Sequence, residues 1–209
     1  MNARDEILGR IGTALGPGRP APPEVRRDYR VTDGRAPGDT ALLDLLTDRL
    51  EDYRASVARC GPDEVAATVA TALTTAIGGH APSEVVVAPG VPPEWRPDGV
   101  CEDDGRPQVA LAGFAATLTG VSVAVAETGT LVLDGSPLCG RRALSLLPDR
   151  LVCVVEAVQV VGSVPEGLAR LDPSAPMTMI SGPSATSDIE LQRVEGVHGP
   201  RTLVVVLVA

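Results

Sequence analysis

The chain closes on TLVVVLVA, residues 202–209, and carries a sister run, RLVCVVEAV, at 150–158. Neither run alternates apolar with polar residues. A strand with one wet face would alternate, so unbroken Val/Leu runs point to strands buried on both faces, as in a parallel sheet covered by helices. EVVVAPG at 84–90 is a shorter run of the same kind with a Gly/Pro stop. GVSVAVAETGTLVLDG at 120–135 holds two more, and APMTMISG at 175–182 is a weaker one.

Helical patterns lie ahead of and between these runs. Residues 2–15 place Ile7, Leu8, Ile11, Ala14 and Leu15 on one face, with Gly16 as the stop. GPGRPAPPEVRRDYRVTDGRAPGD, 16–39, reads as an irregular arm. A second helix is predicted over 40–60, with Leu42, Leu45, Leu46, Leu50, Tyr53 and Val57 as its stripe and Asp39 or Thr40 as its cap. A third is predicted over 62–77, entered at Pro62 and capped by Gly78 and Gly79. Residues 164–171 read as a short helix. The expected architecture is α/β, three layers α/β/α around a largely parallel sheet, with N-terminal helices added. Two units are expected: helix and arm over 1–39, and a single α/β domain over 40–209.

Composition narrows the function classes. The chain has 209 residues, 44% hydrophobic but only 2% aromatic, so the core must be Val, Leu and Ala. So few aromatics leave no stacking platform for single-stranded nucleic acid, and a net charge of −9 disfavours DNA, RNA or an anionic membrane. Cys60, Cys101, Cys139 and Cys153 form no CxxC pair or tight cluster, so neither an iron–sulfur nor a structural zinc site is expected. MNARDEILGR lacks the apolar centre of a signal peptide, and no apolar run approaches the roughly 20 residues of a membrane span. The expectation is a cytoplasmic protein with reduced thiols and no cofactor of its own. GxGxxG, GxxxxGK[ST] and GxSxG are absent; GSPLCGRRALS at 135–145 has glycines but no P-loop lysine.

Three polar stretches carry candidate chemistry. In AVAETGTLVLDG a buried strand ends at Glu127, followed by Thr128, Gly129 and Thr130. A carboxylate at the carboxyl end of a strand in an open α/β sheet suits a nucleophile, base or ligand hook; the alternative is a turn with Glu127 in water. In SGPSATSDIEL, Gly182, Ser184, Thr186 and Asp188 follow an apolar run, and backbone N–H groups there can cradle an anion. Ser184 or Ser187 could equally be a plain helix cap, with Glu190 completing a capping box. In GVHGPRTLVVVLVA, His198 can titrate near neutral pH and Arg201 can grip an anion. The turns at 182–188 and 196–201 could face the same crevice as Glu127. Nothing in the spacing favours a hydrolase built from Ser184, His198 and Asp188. The other histidine, His80, reads as serving a helix C-terminus.

Together, residues 126–133, 181–190 and 196–208 resemble the LUD-domain family, in which segments like AETGTLVL, SGPSxTxDIE and GVHGPRxLxVxLV follow in that order. Ala185 stands where many members carry a basic residue, and Ser187 where Ala is common. The resemblance implies a fold like those of CoA-transferases, ribose-5-phosphate isomerase and folate cyclo-ligase. It also implies a part in oxidising L-lactate to pyruvate beside two proteins that carry iron–sulfur centres. It implies no catalytic residues for this subunit. Three functions stay open: a non-redox subunit of a lactate-oxidising system that binds a small anion or a partner; an independent enzyme using Glu127, as CoA-transferases use a glutamate; and a regulatory or assembly module. The arm and leading helix fit a contact with a partner or a second copy as well as they fit packing on the same chain.

Overall fold

The computed structural model describes residues 2–17, 23–186, 194–195 and 199–209. In chain order, helix α1 (Ala3–Leu15) precedes the arm, then come α2 (Thr40–Asp52), strand β1 (Ser56–Cys60), α3 (Val65–Ile77), β2 (Val85–Val87), β3 (Cys101–Glu102), the one-turn α4 (Gln108–Leu111) and β4 (Ala116–Gly120). They are followed by β5 (Val123–Val125), β6 (Thr130–Leu133), β7 (Arg150–Glu156), β8 (Val160–Val161), α5 (Val164–Leu168), β9 (Thr178–Ile180), β10 (Ala185–Thr186), β11 (Val194–Glu195) and β12 (Thr202–Val208).

Six strands make one sheet in the order β1-β12-β7-β4-β2-β3, every pair parallel. The chain's last strand lies between β1 and β7, which is why it has no polar face. Leu203, Val205 and Leu207 point with Leu151, Cys153 and Val155 into one core, beneath Leu42, Leu46 and Leu50 of α2. Val204, Val206 and Val208 point with Val152 and Val154 into the other, beneath Val65, Val69 and Leu73 of α3. The fold is therefore α/β, with helices on both faces of a parallel sheet.

The layer containing α2 also holds a second sheet, in the order β8-β5-β6-β9. Here β5 and β6 are antiparallel, as are β6 and β9, and only β5 and β8 run parallel. The expectation for 120–135 is corrected by this finding. Glu127 sits in the turn of a hairpin, not at the carboxyl end of a strand in the parallel sheet. A parallel crossover needs a dozen or more residues, and only four separate β5 from β6. Gly129, at φ 60, closes the turn.

The second predicted helix is also shorter than expected. It is capped by the Asp39 carboxylate, which accepts from the Ala41 N–H at 2.8 Å, and ends at Asp52. Arg54 takes φ 68, the chain reverses, and residues 56–60 pair with 204–208 as a strand. Sheet pairing outweighs the helical spacing of Tyr53 and Val57. Helix α3 ends as expected on Gly78, left-handed at φ 56. Helix α5 stops at Leu168, three residues short of the predicted span.

Candidate functional site

The polar turn after β5 is built on the last turn of α2. A Cβ on Gly129 would stand 2.8 Å from Arg49 Cβ, and one on Gly182 2.5 Å from Tyr53 Cβ and 2.9 Å from the Tyr53 carbonyl oxygen. With φ at +60 and +84, both positions require glycine for close packing on α2. Between them runs a chain of hydroxyls: Thr128 Oγ1 lies 2.7 Å from Thr130 Oγ1, which lies 2.8 Å from Ser181 Oγ. The chain ties the hairpin to the segment that leaves β9.

Glu127 points the other way, under the N-terminal arm. One carboxylate oxygen accepts from the Arg30 guanidinium, and the other accepts from the Val164 N–H at 3.0 Å, at the start of α5. The Thr32 hydroxyl donates to Glu166 Oε1 at 2.7 Å, and the Ser163 N–H and hydroxyl donate to Glu166 Oε2 at 2.8 and 2.7 Å. Burial opposes the Glu166 charge, but these hydrogen bonds prevail and hold its carboxyl below the usual range. Hydrogen bonding to Glu127 raises the Arg30 guanidinium.

A crevice of about 230 Å³ opens beside the hydroxyl chain. Ser181, Gly182 and Ser184 form one wall, Gly199 and Pro200 another, and Leu151 and Leu203 the floor, with Ser145 at the side. It therefore lies at the amino ends of β7 and β12. The Ser184 N–H donates to the Pro200 carbonyl at 2.8 Å, and β10 pairs antiparallel with β11 just beyond. Arg201 grips Asp149 bidentately, Nε to Oδ1 at 2.6 Å and Nη2 to Oδ2 at 2.9 Å. The Arg201 hydrogen bond holds the Asp149 carboxyl low. Arg142 is exposed and has no ion-pair partner among the described residues; it flanks Ser145 and Thr178 in a small adjoining cavity.

At the opposite end of the sheet, where open α/β sheets hold ligands, residues 134–141 close off the ends of β2 and β4. The Gly90 N–H donates to the Pro137 carbonyl at 2.8 Å, and the Gly120 N–H to the Leu138 carbonyl at 3.0 Å. A Cβ at Gly90 would stand 2.5 Å from the Pro137 carbonyl carbon, and one at Gly120 2.6 Å from the Leu138 side chain. Arg141 clamps the loop through Nε and Nη2 to the two oxygens of buried Asp103 at 2.7 and 2.8 Å. Burial works against the Asp134 charge, but hydrogen bonds from Ser122, Ser136 and Cys139 outweigh it and bring its carboxyl to about 2. Burial pushes the Cys139 thiol up and the Cys153 thiol to about 12. Among the described residues, no group of three or more His, Cys, Asp or Glu is placed to hold a metal ion, and no helix is long and apolar enough to cross a membrane.

Residues 97–208 match the family model described as the LUD domain. The chain belongs to the LUD-domain family. It is 40% identical to lactate utilization protein C of Deinococcus radiodurans, over 99% of this chain and 95% of that protein. It is 32% identical to lactate utilization protein C of Bacillus subtilis, over 56% of this chain and 50% of that protein. Among solved structures it is similar to a DUF162 family protein from Deinococcus radiodurans, with a TM-score of 0.66 and 34% identity, covering 81% of this chain and 97% of that one.

The matched LUD segment contains every residue that lines the crevice and the loop 134–141. Of the residues singled out from sequence, Gly182 and Ser184 line the crevice, and Thr130 reaches its wall through Ser181 with Thr128 behind it. Glu127 and Gly129 do not line it; they pack against the arm and α2. Arg201 lies beside it, its guanidinium already paired. Thr186 contributes backbone to β10. Asp188 and His198 lie outside the described residues, as do Ser187 and Glu190. Sequence reasoning missed Ser145, Ser181 and Gly199 as lining residues, and Asp149 as the partner of Arg201. Ser181 and Gly199 stood inside the quoted motifs and Ser145 ended GSPLCGRRALS, read only for a P-loop, whereas nothing local marked Asp149.

Proposed function

We propose that this LUD-domain chain is a cytoplasmic, non-redox subunit of an L-lactate utilisation system, in which lactate is oxidised to pyruvate and the two electrons pass to iron–sulfur partner proteins. The observation that carries the reading is the full-length relationship to a protein named lactate utilization protein C. Cys60, Cys139 and Cys153 are buried, which supports placing the iron–sulfur centres on the partners.

The role proposed for the crevice is to hold a small carboxylate. The Ser181 and Ser184 side chains line it with hydroxyls, Gly199 lets the backbone come close, and Arg142 supplies a cation alongside. Its volume suits a molecule of a few carbons. Both Glu127 oxygens are already engaged, which supports an anchoring role for that residue over the nucleophile of a CoA-transferase.

The test is L-lactate oxidation by the purified partner proteins with and without this chain. Omission should lower pyruvate formation at least about tenfold, the loss of roughly 1.4 kcal/mol of rate-relevant interaction. An unchanged rate would overturn the proposal.

A further inference from the structure

The hydroxyls of Thr128, Thr130 and Ser181 join two cavities. Thr128 and Thr130 line a small one of about 100 Å³ on the α5 side of the second sheet, and Ser181 lines the crevice. Strand register makes the link. Leu131 pairs with Ile180 and Val132 with Met179, so the next step of the same antiparallel ladder sets Thr130 across from Ser181. Their side-chain oxygens stand 2.8 Å apart, and Thr130 Oγ1 stands 2.7 Å from Thr128 Oγ1. Thr130, in the middle, is a buried residue.

Counting protons gives the chain a direction. Three hydroxyls bring three protons, and the two contacts between them use two, so the third leaves from one end. At the Thr128 end the other lining side chains are apolar, among them Val125, Leu168 and Leu171, and offer no acceptor. A branch from the Thr130 hydroxyl to the Thr128 carbonyl measures 3.5 Å, too long to compete with the 2.8 Å contact to Ser181. At the Ser181 end lies the crevice, with Arg142 in the adjoining cavity to draw in an anion. A proton left at the Thr128 end would face apolar groups unpaired, whereas one released at the Ser181 end meets the anion. A hydroxyl that accepts a hydrogen bond is also a stronger donor, so the donations run in one sense, Thr128 to Thr130 to Ser181.

We propose that Thr130 is a positioning residue: it accepts from Thr128, donates to Ser181, and so turns the Ser181 proton into the crevice as the hydrogen-bond donor to a bound small carboxylate. Thr130 itself never touches the ligand. The inference deepens the proposed function and rests on its reading of the crevice as a carboxylate site.

The test is calorimetric titration of the full chain with pyruvate and with L-lactate. Ser181→Ala should weaken binding about tenfold, and Thr130→Val, which keeps the branched shape and removes the hydroxyl, about fivefold. Thr130→Ser keeps the hydroxyl and should bind within about twofold of wild type. Because Thr130 acts through Ser181, the double variant should bind no more weakly than Ser181→Ala alone. Should Thr130→Val misfold, Thr128→Val breaks the chain one step further from the crevice, with an expected loss of about twofold. Three results would overturn the inference: unchanged binding in the folded one of these two valine variants, losses from Thr130→Val and Ser181→Ala that add in the double variant, or Thr130→Ser as weak as Thr130→Val. With Gly199→Leu, which fills the crevice, still abolishing binding, any of these would leave the carboxylate reading of the crevice standing. A wild-type chain that binds neither acid would overturn that reading and the inference together.

Discussion

The two ends of the parallel sheet are built in opposite ways. At the carboxyl ends of β2 and β4, residues 134–141 are pressed onto Gly90 and Gly120 and clamped by Arg141 on Asp103. At the amino end of β7 and β12, glycines and serines leave a crevice of about 230 Å³. Parallel sheets commonly bind at the carboxyl end. Here the chain's own loop occupies that end, and the space lies at the other. Fold class alone would direct attention to the end that the loop fills; a candidate site has to be read from which residues leave room.

The contrast can be broken most severely at Gly90. Gly90→Ala places a methyl 2.5 Å from the Pro137 carbonyl carbon, and backbone cannot yield as a flexible side chain would. The expected loss is about 3 kcal/mol in urea unfolding. A loss below about 1 kcal/mol would show the loop to be a loose cover and not a plug. Next comes the clamp. Arg141→Met leaves the Asp103 carboxylate buried without its cation, which should cost about 2 kcal/mol, reduced from the fully buried case because Arg141 is one-third exposed.

Acid should act on the same edge. Asp134 titrates at about 2 in the folded chain and at about 3.9 unfolded. The unfolded state binds more protons between these values, so stability falls as pH drops from about 4 to about 2, by on the order of 2 kcal/mol. Above about pH 4 the contribution is fully present. Asp134→Asn should flatten that part of a pH–stability curve; an unchanged slope would show that the hydrogen bonds from Ser122 and Ser136 do not hold the charge. The smallest effect is expected at Arg30→Ala. That ion pair is exposed on the arginine side, so the urea unfolding midpoint should barely fall. A larger loss would make the arm part of the core.

The parallel sheet was legible because 150–158 and 202–209 carry no polar face, and burial on both sides is what such runs require. The hairpin around Glu127 was misread although the signal was present: a four-residue gap is too short for a crossover. Strand β1 was hidden inside a helical stripe, because only its pairing with 204–208 distinguishes it. Gly129 and Gly182 invited a ligand reading, and their neighbours turned out to be Arg49 and Tyr53, contacts that no local pattern encodes. For the candidate site, the hydroxyl turn ahead of the last strand was visible, and its edge of the sheet was not. GSPLCGRRALS held no nucleotide-binding pattern, and its plugging role depends on Gly90 and Gly120, distant in sequence.

The most direct test fills the crevice and asks for growth on lactate. A Cβ at Gly199 would meet Ser184 Cβ at 3.6 Å and Leu146 Cδ2 at 3.8 Å, ordinary contacts, so Gly199→Leu can enter the crevice without straining the backbone. A strain lacking this chain would be complemented with the wild-type or the Gly199→Leu protein at equal folded levels, and its growth rate on L-lactate measured. The account predicts that wild type restores growth and Gly199→Leu does not. Full growth with the filled crevice would contradict it.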